Sequence, residues 1–331
     1  MNPRILAVLG AFFAVSCLGY ASEFGDVTSD GSSAGGRVTG GGSGAGGEGS
    51  FVGGGGGTST GGGLGGGSAT GGGAASGGGT GGGAVLPNFS FFVTSYNAIQ
   101  KLAGSVNGFG GDLRYGETGP GAGLRGADKI CSAIAEMSMP GSSAKVWRAF
   151  LSATADENGS QVNAIDRIGD GPWYDRLGRQ LAAKKADLLA DRPTSAAAVI
   201  KDDLPNEDGV PNHAPDGTEV DNHDTLTGSD DEGKLFGPSS TCSDWTTTDS
   251  TPGSDGLPLT GLPRVGHSWP RGNFGPVMNP MNPMANWMSA LDEAGCGAGV
   301  NLLETGPPDP MNPTVGSGGG YGGFYCFALS P

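Results

Sequence analysis

Gly322-Gly323-Phe324-Tyr325-Cys326-Phe327-Ala328 sets a cysteine inside an aromatic run close to the end of the sequence. Aromatic and β-branched residues suit a pleated, half-buried surface, so this stretch predicts a strand. A run of the same character, Phe89-Ser90-Phe91-Phe92-Val93-Thr94, stands where the glycine-rich half of the chain stops. Pairing the two would close a domain by joining its ends in one sheet.

Of the 331 residues 68 are glycine, most of them before residue 85. A Gly/Ser tract has too little apolar surface to offset its ordering entropy, which predicts a disordered linker over residues 22–85 and a folded domain over 86–331. The net charge is −15, with the acidic residues concentrated in the C-terminal half. That balance argues against a nucleic-acid partner, which needs a Lys/Arg patch to displace counterions. Glycine triplets resemble phosphate loops, but none is followed by Gly-Lys-Ser/Thr.

At the other end, Arg4 and the apolar run Ile5 to Val15 read as a signal peptide within residues 1–21, too short to span a bilayer. Gly19-Tyr20-Ala21 offers small residues for ordinary cleavage, whereas Ala14-Val15-Ser16-Cys17 resembles a lipobox with cleavage before a lipidated Cys17. The chain has five cysteines. Lipidation of Cys17 leaves an even set, Cys131, Cys242, Cys296 and Cys326, and so favours the lipoprotein reading. Its implied partner is a membrane held through the lipid, with the linker as tether. Simple secretion is the alternative.

Within the domain, Leu124, Ala127, Ile130, Cys131, Ile134 and Ala135 recur at helical spacing, predicting a helix of about three turns that Pro140-Gly141 ends. Cys131 lies on the apolar stripe, so its sulfur can reach a core-facing cysteine on the last strand. Val146 to Ser152 reads as a strand, and Cys242-Ser243-Asp244-Trp245-Thr246 as another. Ala285 to Ala294 reads as a second, short helix with Gly295 as its C-cap. Trp147, Trp173, Trp245 and Tyr325 are expected in the core.

Residues 201–233 form an acidic, loop-like stretch. Calcium takes about six to eight oxygen ligands, and Asp216, Glu219, Asp221 and Asp224 are the candidates to supply them. The Asp-x-Asp-x-Asp-Gly register of an EF-hand is missing, however, and a solvated acidic loop is the favoured reading. His213, His223 and His267 are the only histidines, and none stands in a Gly-x-Ser-x-Gly or His-Glu-x-x-His context. Met278, Met281 and Met284 have a spacing that copper(I) could use, but the Asn-Pro pairs between them argue for consecutive turns.

Taken in order, several segments resemble a group of secreted or lipid-anchored proteins, abundant in myxobacteria, that carry a C-type-lectin-like, endostatin-like domain. These are Phe92-Val93-Thr94-Ser95, Gly123 to Cys131, Trp147 to Ser152, Asp166-Arg167-Ile168-Gly169 and Gly171-Pro172-Trp173-Tyr174. His223 to Gly228, Thr241 to Thr246, Gly266-His267-Ser268 and Gly323 to Phe327 complete the series. The resemblance covers most of residues 90–328. It implies an α+β, C-type-lectin-like fold with paired terminal strands, two helices, long loops and nested disulfides, Cys131–Cys326 outside and Cys242–Cys296 inside. The residues that bind metal in those families do not carry over. Leu204-Pro205-Asn206 and Val210-Pro211-Asn212 lack the acidic residue that opens a lectin calcium motif, and the first histidine, His213, falls too late for an endostatin-type zinc site.

The function expected is therefore that of a non-catalytic, extracytoplasmic binding or adhesion module at the outer membrane or cell surface. Its ligand would be an extracellular glycan or protein, with no cofactor unless calcium binds the acidic loop. An envelope protein with a purely structural role, and a calcium-dependent carbohydrate binder using residues 202–232, are the alternatives.

Overall fold

A computed structural model describes residues 88–213, 222–269, 286–303 and 307–331. The signal segment with Cys17, the glycine-rich linker, Asp216, Glu219, Asp221 and the methionines Met278, Met281 and Met284 lie outside the described residues.

The closing strand is the hub of the sheet. β8 (Gly320–Ala328) pairs antiparallel with β1 (Phe91–Val93), Phe91 opposite Phe327 and Val93 opposite Tyr325. It pairs with β2 (Trp147–Ala149) as well, so that Cys326 stands between Phe92 and Ala149. Its first half runs parallel to β5 (Asp224–Leu226), and β6 (Arg264–His267) and β7 (Leu291–Asp292) extend the sheet beyond β5. The expected pairing of the terminal runs is thus present. β3 (Trp173–Tyr174) and β4 (Gln180–Ala182) form a separate two-stranded sheet.

All nine residues of β8 are buried because both faces of the sheet carry a core. Successive side chains of a strand point to opposite faces. Phe324, Cys326 and Ala328 join Phe92, Trp147 and Trp245 in one cluster. Tyr325 and Phe327 join Phe91, Phe150, Trp173 and Trp287 in the other. Trp147, Trp173, Trp245 and Tyr325, expected as core, are all buried.

α1 (Tyr96–Ala103) follows β1 directly, and no helix was expected there. Its signals are local ones: the Ser95 hydroxyl accepts from the Ala98 N–H at the start, and Gly104 adopts the left-handed conformation (φ 63°) at the end. α2 (Ala122–Ser138) has 17 residues rather than about three turns, and it buries the whole expected stripe from Leu124 to Ala135. Its start was obscured by glycines, which are poor helix formers. Packing explains them. A Cβ on Gly123 would lie 2.1 Å from the Asp244 carbonyl oxygen, and one on Gly126 would lie 2.1 Å from that of Arg114. Gly123→Ala is expected to cost about 1–3 kcal/mol through overpacking, read as a lower denaturation midpoint. An unchanged midpoint would mean that the facing turn simply moves aside. A short α3 (Ala164–Arg167) completes the helices used below.

Two expectations are corrected. Cys242–Trp245 is not a strand but a left-handed turn, with φ of 49°, 54°, 57° and 63° at its four residues. Non-glycine residues enter this region at a cost of roughly 1–2 kcal/mol each, so surrounding contacts must hold them there. The Asp244 carboxylate accepts from the Thr154 N–H and hydroxyl, both at 2.6 Å, and the buried Trp245 indole donates to Ser152 O at 2.8 Å. The helix expected from Ala285, itself outside the described residues, is not formed either. Asn286 Oδ1 accepts from the N–H groups of Met288 (2.8 Å) and Ser289 (2.9 Å), a local turn that competes with helix, and the chain then enters β7.

Disulfides join Cys131 to Cys326 and Cys242 to Cys296, the second nested inside the first. The first ties α2 to β8, as the helical stripe anticipated. Two closed disulfides indicate an oxidising, extracytoplasmic setting. Among the described residues no helix is long and apolar enough to cross a membrane.

Candidate functional site

The described part of the acidic stretch is not simply a solvated loop. Glu207 is buried and accepts from the Ser95 N–H (2.9 Å) and hydroxyl (2.5 Å). Asp230 caps its own turn by accepting from the N–H groups of Glu232 and Lys234. Asp224, the one calcium candidate among the described residues, opens β5 and is 1% exposed.

Among the described residues, Asp224 stands in the group of three His/Asp side chains whose donor atoms come close enough to share an ion. The antiparallel register of β5 and β6 places Asp224 opposite His267, and His267 Nε2 lies 3.0 Å from Asp224 Oδ1. His223 precedes the strand and brings its own Nε2 to 3.5 Å from the same oxygen. The two imidazole rings are 4.2 Å apart and nearly perpendicular. One donor atom from each of His223, Asp224 and His267 lies within 4.8 Å of the others. Both histidines are fully buried.

A second carboxyl abuts this group. Glu293, just after β7 and fully buried, accepts from the Gly318 N–H at 2.8 Å through Oε2 and turns its carboxyl toward Asp224. Burial pushes the Glu293 carboxyl well above the usual carboxylate range, and the charge on Asp224 pushes it further. Burial also drives Asp224 upward, but the combined influence of His223, His267 and Glu293 outweighs it and leaves Asp224 below its ordinary value. The arrangement separates the two carboxyls electrostatically, Asp224 ionised and Glu293 neutral.

Glycines let the chain close over the cluster. A Cβ on Gly318 would stand 2.9 Å from Asp224 Oδ2, and one on Gly320 would stand 2.9 Å from the Asp224 carbonyl oxygen. On the other side the buried Arg192 donates to the carbonyls of His267 and Ser268, each at 2.6 Å, and fixes the end of β6. The Trp269 indole donates to Asn222 Oδ1 at 2.7 Å and lies against His223. His213, the third histidine, packs against the same indole at a tilt of 45°, with centroids 4.0 Å apart.

A recess of about 240 Å³ opens beside Glu293 and Ala294. Its other walls are mostly apolar, including Leu257, Leu262, Pro258 and Pro308. Leu257 is half exposed on its rim.

The four paired cysteines fall into their two bridges, and the four expected core aromatics are packed as described. Sequence reading missed the grouping of His223, His267 and Glu293 with Asp224. The one local signal was the adjacency His223-Asp224; the rest depends on strand register. Two imidazoles and a carboxylate form a nitrogen-rich donor set that suits a metal ion or a proton relay, but its burial keeps it from any bulky substrate. The chain was compared with protein-family models and with curated proteins, and none of them matches it.

Proposed function

We propose that this chain is a non-catalytic, surface-displayed binding protein: a C-type-lectin-like, endostatin-like head carried on the glycine-rich tether from a lipid-anchored Cys17. One observation carries the reading. The clustered groups able to do acid–base chemistry, His223, Asp224, His267 and Glu293, are all at most 1% exposed, whereas the accessible recess beside them has mostly apolar walls with several prolines. Chemistry needs its ionisable groups where substrate can touch them; recognition needs shape and apolar surface on a stiff frame. The nested bridges and the two-sided core supply the stiffness, and loops held by such a frame are where binding surfaces concentrate.

The character of the recess favours a protein ligand over a glycan, because leucines and prolines offer a sugar few hydrogen bonds. An apolar side chain of a surface or matrix protein fits its volume. The test is an array of extracellular proteins and glycans probed with the full, disulfide-closed chain. A protein ligand is expected, with Leu257→Asp weakening it by about tenfold or more, the loss of roughly 1.4 kcal/mol that a contact of this kind carries. Leu257 is half exposed, so the variant should fold. Binding unaffected by Leu257→Asp, or an array without any ligand, would count against the proposal.

A further inference from the structure

We propose that His223, Asp224 and His267 hold one divalent transition-metal ion of the zinc class, with Glu293 as the outer carboxyl that steadies Asp224. This inference is independent of the binding reading and concerns the inside of the head.

The geometry is that of a ligand set. Around a tetrahedral ion with bonds of about 2.0–2.2 Å, neighbouring ligand atoms stand about 3.4 Å apart. His267 Nε2 and His223 Nε2 lie 3.0 and 3.5 Å from Asp224 Oδ1, and the whole set falls within 4.8 Å. Small side-chain rotations therefore suffice to converge the three atoms on one point.

Charge accounting points the same way. Two carboxyls are sealed from water here, and burying a carboxylate is costly without a counter-charge. Among the described residues no lysine or arginine pairs with either of them. The buried Arg192 donates to the carbonyls of Lys201, His267 and Ser268 instead. Apart from each other, Asp224 Oδ2 and Glu293 Oε1 meet no hydrogen-bond donor among the described residues, although both side chains are buried. A proton on Glu293 lets the two carboxyls face each other, and it leaves the Asp224 carboxylate with two imidazoles as its neighbours, the donor set that suits a cation.

The donors also choose the ion. Calcium takes oxygen ligands, so two imidazole nitrogens disfavour it. Imidazole with carboxylate suits zinc and its first-row neighbours. Burial keeps a bound ion from substrate, and with three protein ligands the fourth position would be filled by an enclosed water. Bound there, the ion would fasten β5 to β6, and through Glu293 and Gly318 it would reach the glycine-rich segment that leads into β8.

The experiment uses the full, disulfide-closed chain, stripped with chelator and dialysed, then titrated separately with zinc, cobalt(II) and calcium. One zinc per chain is expected, with a rise in melting temperature that calcium does not reproduce. Cobalt(II) should give the visible absorption of a four-coordinate nitrogen/oxygen site. His267→Gln and Asp224→Asn should weaken zinc binding by about 100-fold or more, and Glu293→Gln by about 10–100-fold, the usual range for an outer partner. His213→Gln should leave it unchanged. Because His267→Gln and Asp224→Asn remove buried groups, nitrogen-15 NMR of the unaltered chain carries the test independently of whether those variants fold. With only three histidines, the His213→Gln spectrum identifies the signals of His213, and zinc must move those of the other two. No stoichiometric zinc, equal stabilisation by calcium, or zinc shifts confined to His213 would overturn the proposal.

Discussion

Cys131→Ala/Cys326→Ala is expected to melt roughly 10–20 °C below the unaltered chain, taking about 2–4 °C per kcal/mol for a domain of this size. The bridge closes a loop of 195 residues. In the chain-entropy treatment a loop of that length restricts the unfolded chain by roughly 5 kcal/mol. The inner bridge spans 54 residues and contributes roughly 4 kcal/mol by the same reasoning. Because the cost of closing a loop grows only with the logarithm of its length, the inner bridge does little to shorten the outer one. Against a total stability of about 5–15 kcal/mol, loss of the outer bridge removes a large share. Packing adds to the effect, since Cys131 and Cys326 are both fully buried between α2 and the sheet. Cys242→Ala/Cys296→Ala should melt at an intermediate temperature. Thermal unfolding followed by circular dichroism ranks the variants, and an inner variant less stable than the outer one would refute the loop-length argument.

How far these features could be read from the sequence depended on whether their signals were local. The joining of Phe91–Val93 to Tyr325–Phe327 was legible because both runs carry the same aromatic signature. The stripe through Cys131 was legible because helical periodicity repeats within a few residues. Cys242–Trp245 misled: its composition suits a strand, whereas the turn is imposed by Asp244 reaching Thr154, 90 residues away in the chain. Ser95 and Gly104 did mark the ends of α1, but a helix with two buried residues leaves no stripe to notice. The His223–Asp224–His267 group was illegible for a different reason. Only the pairing of Asp224 with His267 across β5 and β6 assembles it, and Glu293 arrives from beyond β7. Strand register is a property of the whole sheet, not of any window of sequence.

The second large effect is expected at a buried ion pair. Arg167→Met should lose about 3–5 kcal/mol at pH 8, the usual consequence of leaving a buried charge without its partner. Arg167, at the end of α3, donates to both oxygens of Asp128 on α2 at 2.9 Å and also to the carbonyl of Ala149 in β2. Asp128 accepts in turn from the Ala149 N–H at 2.9 Å, so the pair bolts α2 and α3 to the strand beside β8. Burial pushes the Asp128 carboxyl above its ordinary value, and Arg167 is the strongest influence holding it down. Without Arg167 that carboxyl rises further. A carboxyl whose pKa is raised by folding contributes most below its unfolded value and loses that contribution as pH climbs through the folded one. The stability difference between Arg167→Met and the unaltered chain should therefore be small near pH 4 and widen steadily toward pH 8. Asp128→Asn/Arg167→Met removes both charges and keeps an oxygen for the Ala149 N–H, so it should recover most of the loss at pH 8. Arg148, which also reaches Asp128 at 3.2 Å but is partly exposed, can turn to water in that variant. Denaturant titrations of the three proteins at both pH values decide the matter. A penalty independent of pH, or no recovery in the double variant, would mean that Arg167 acts through its contacts to Ala149 and its bulk, not through its charge.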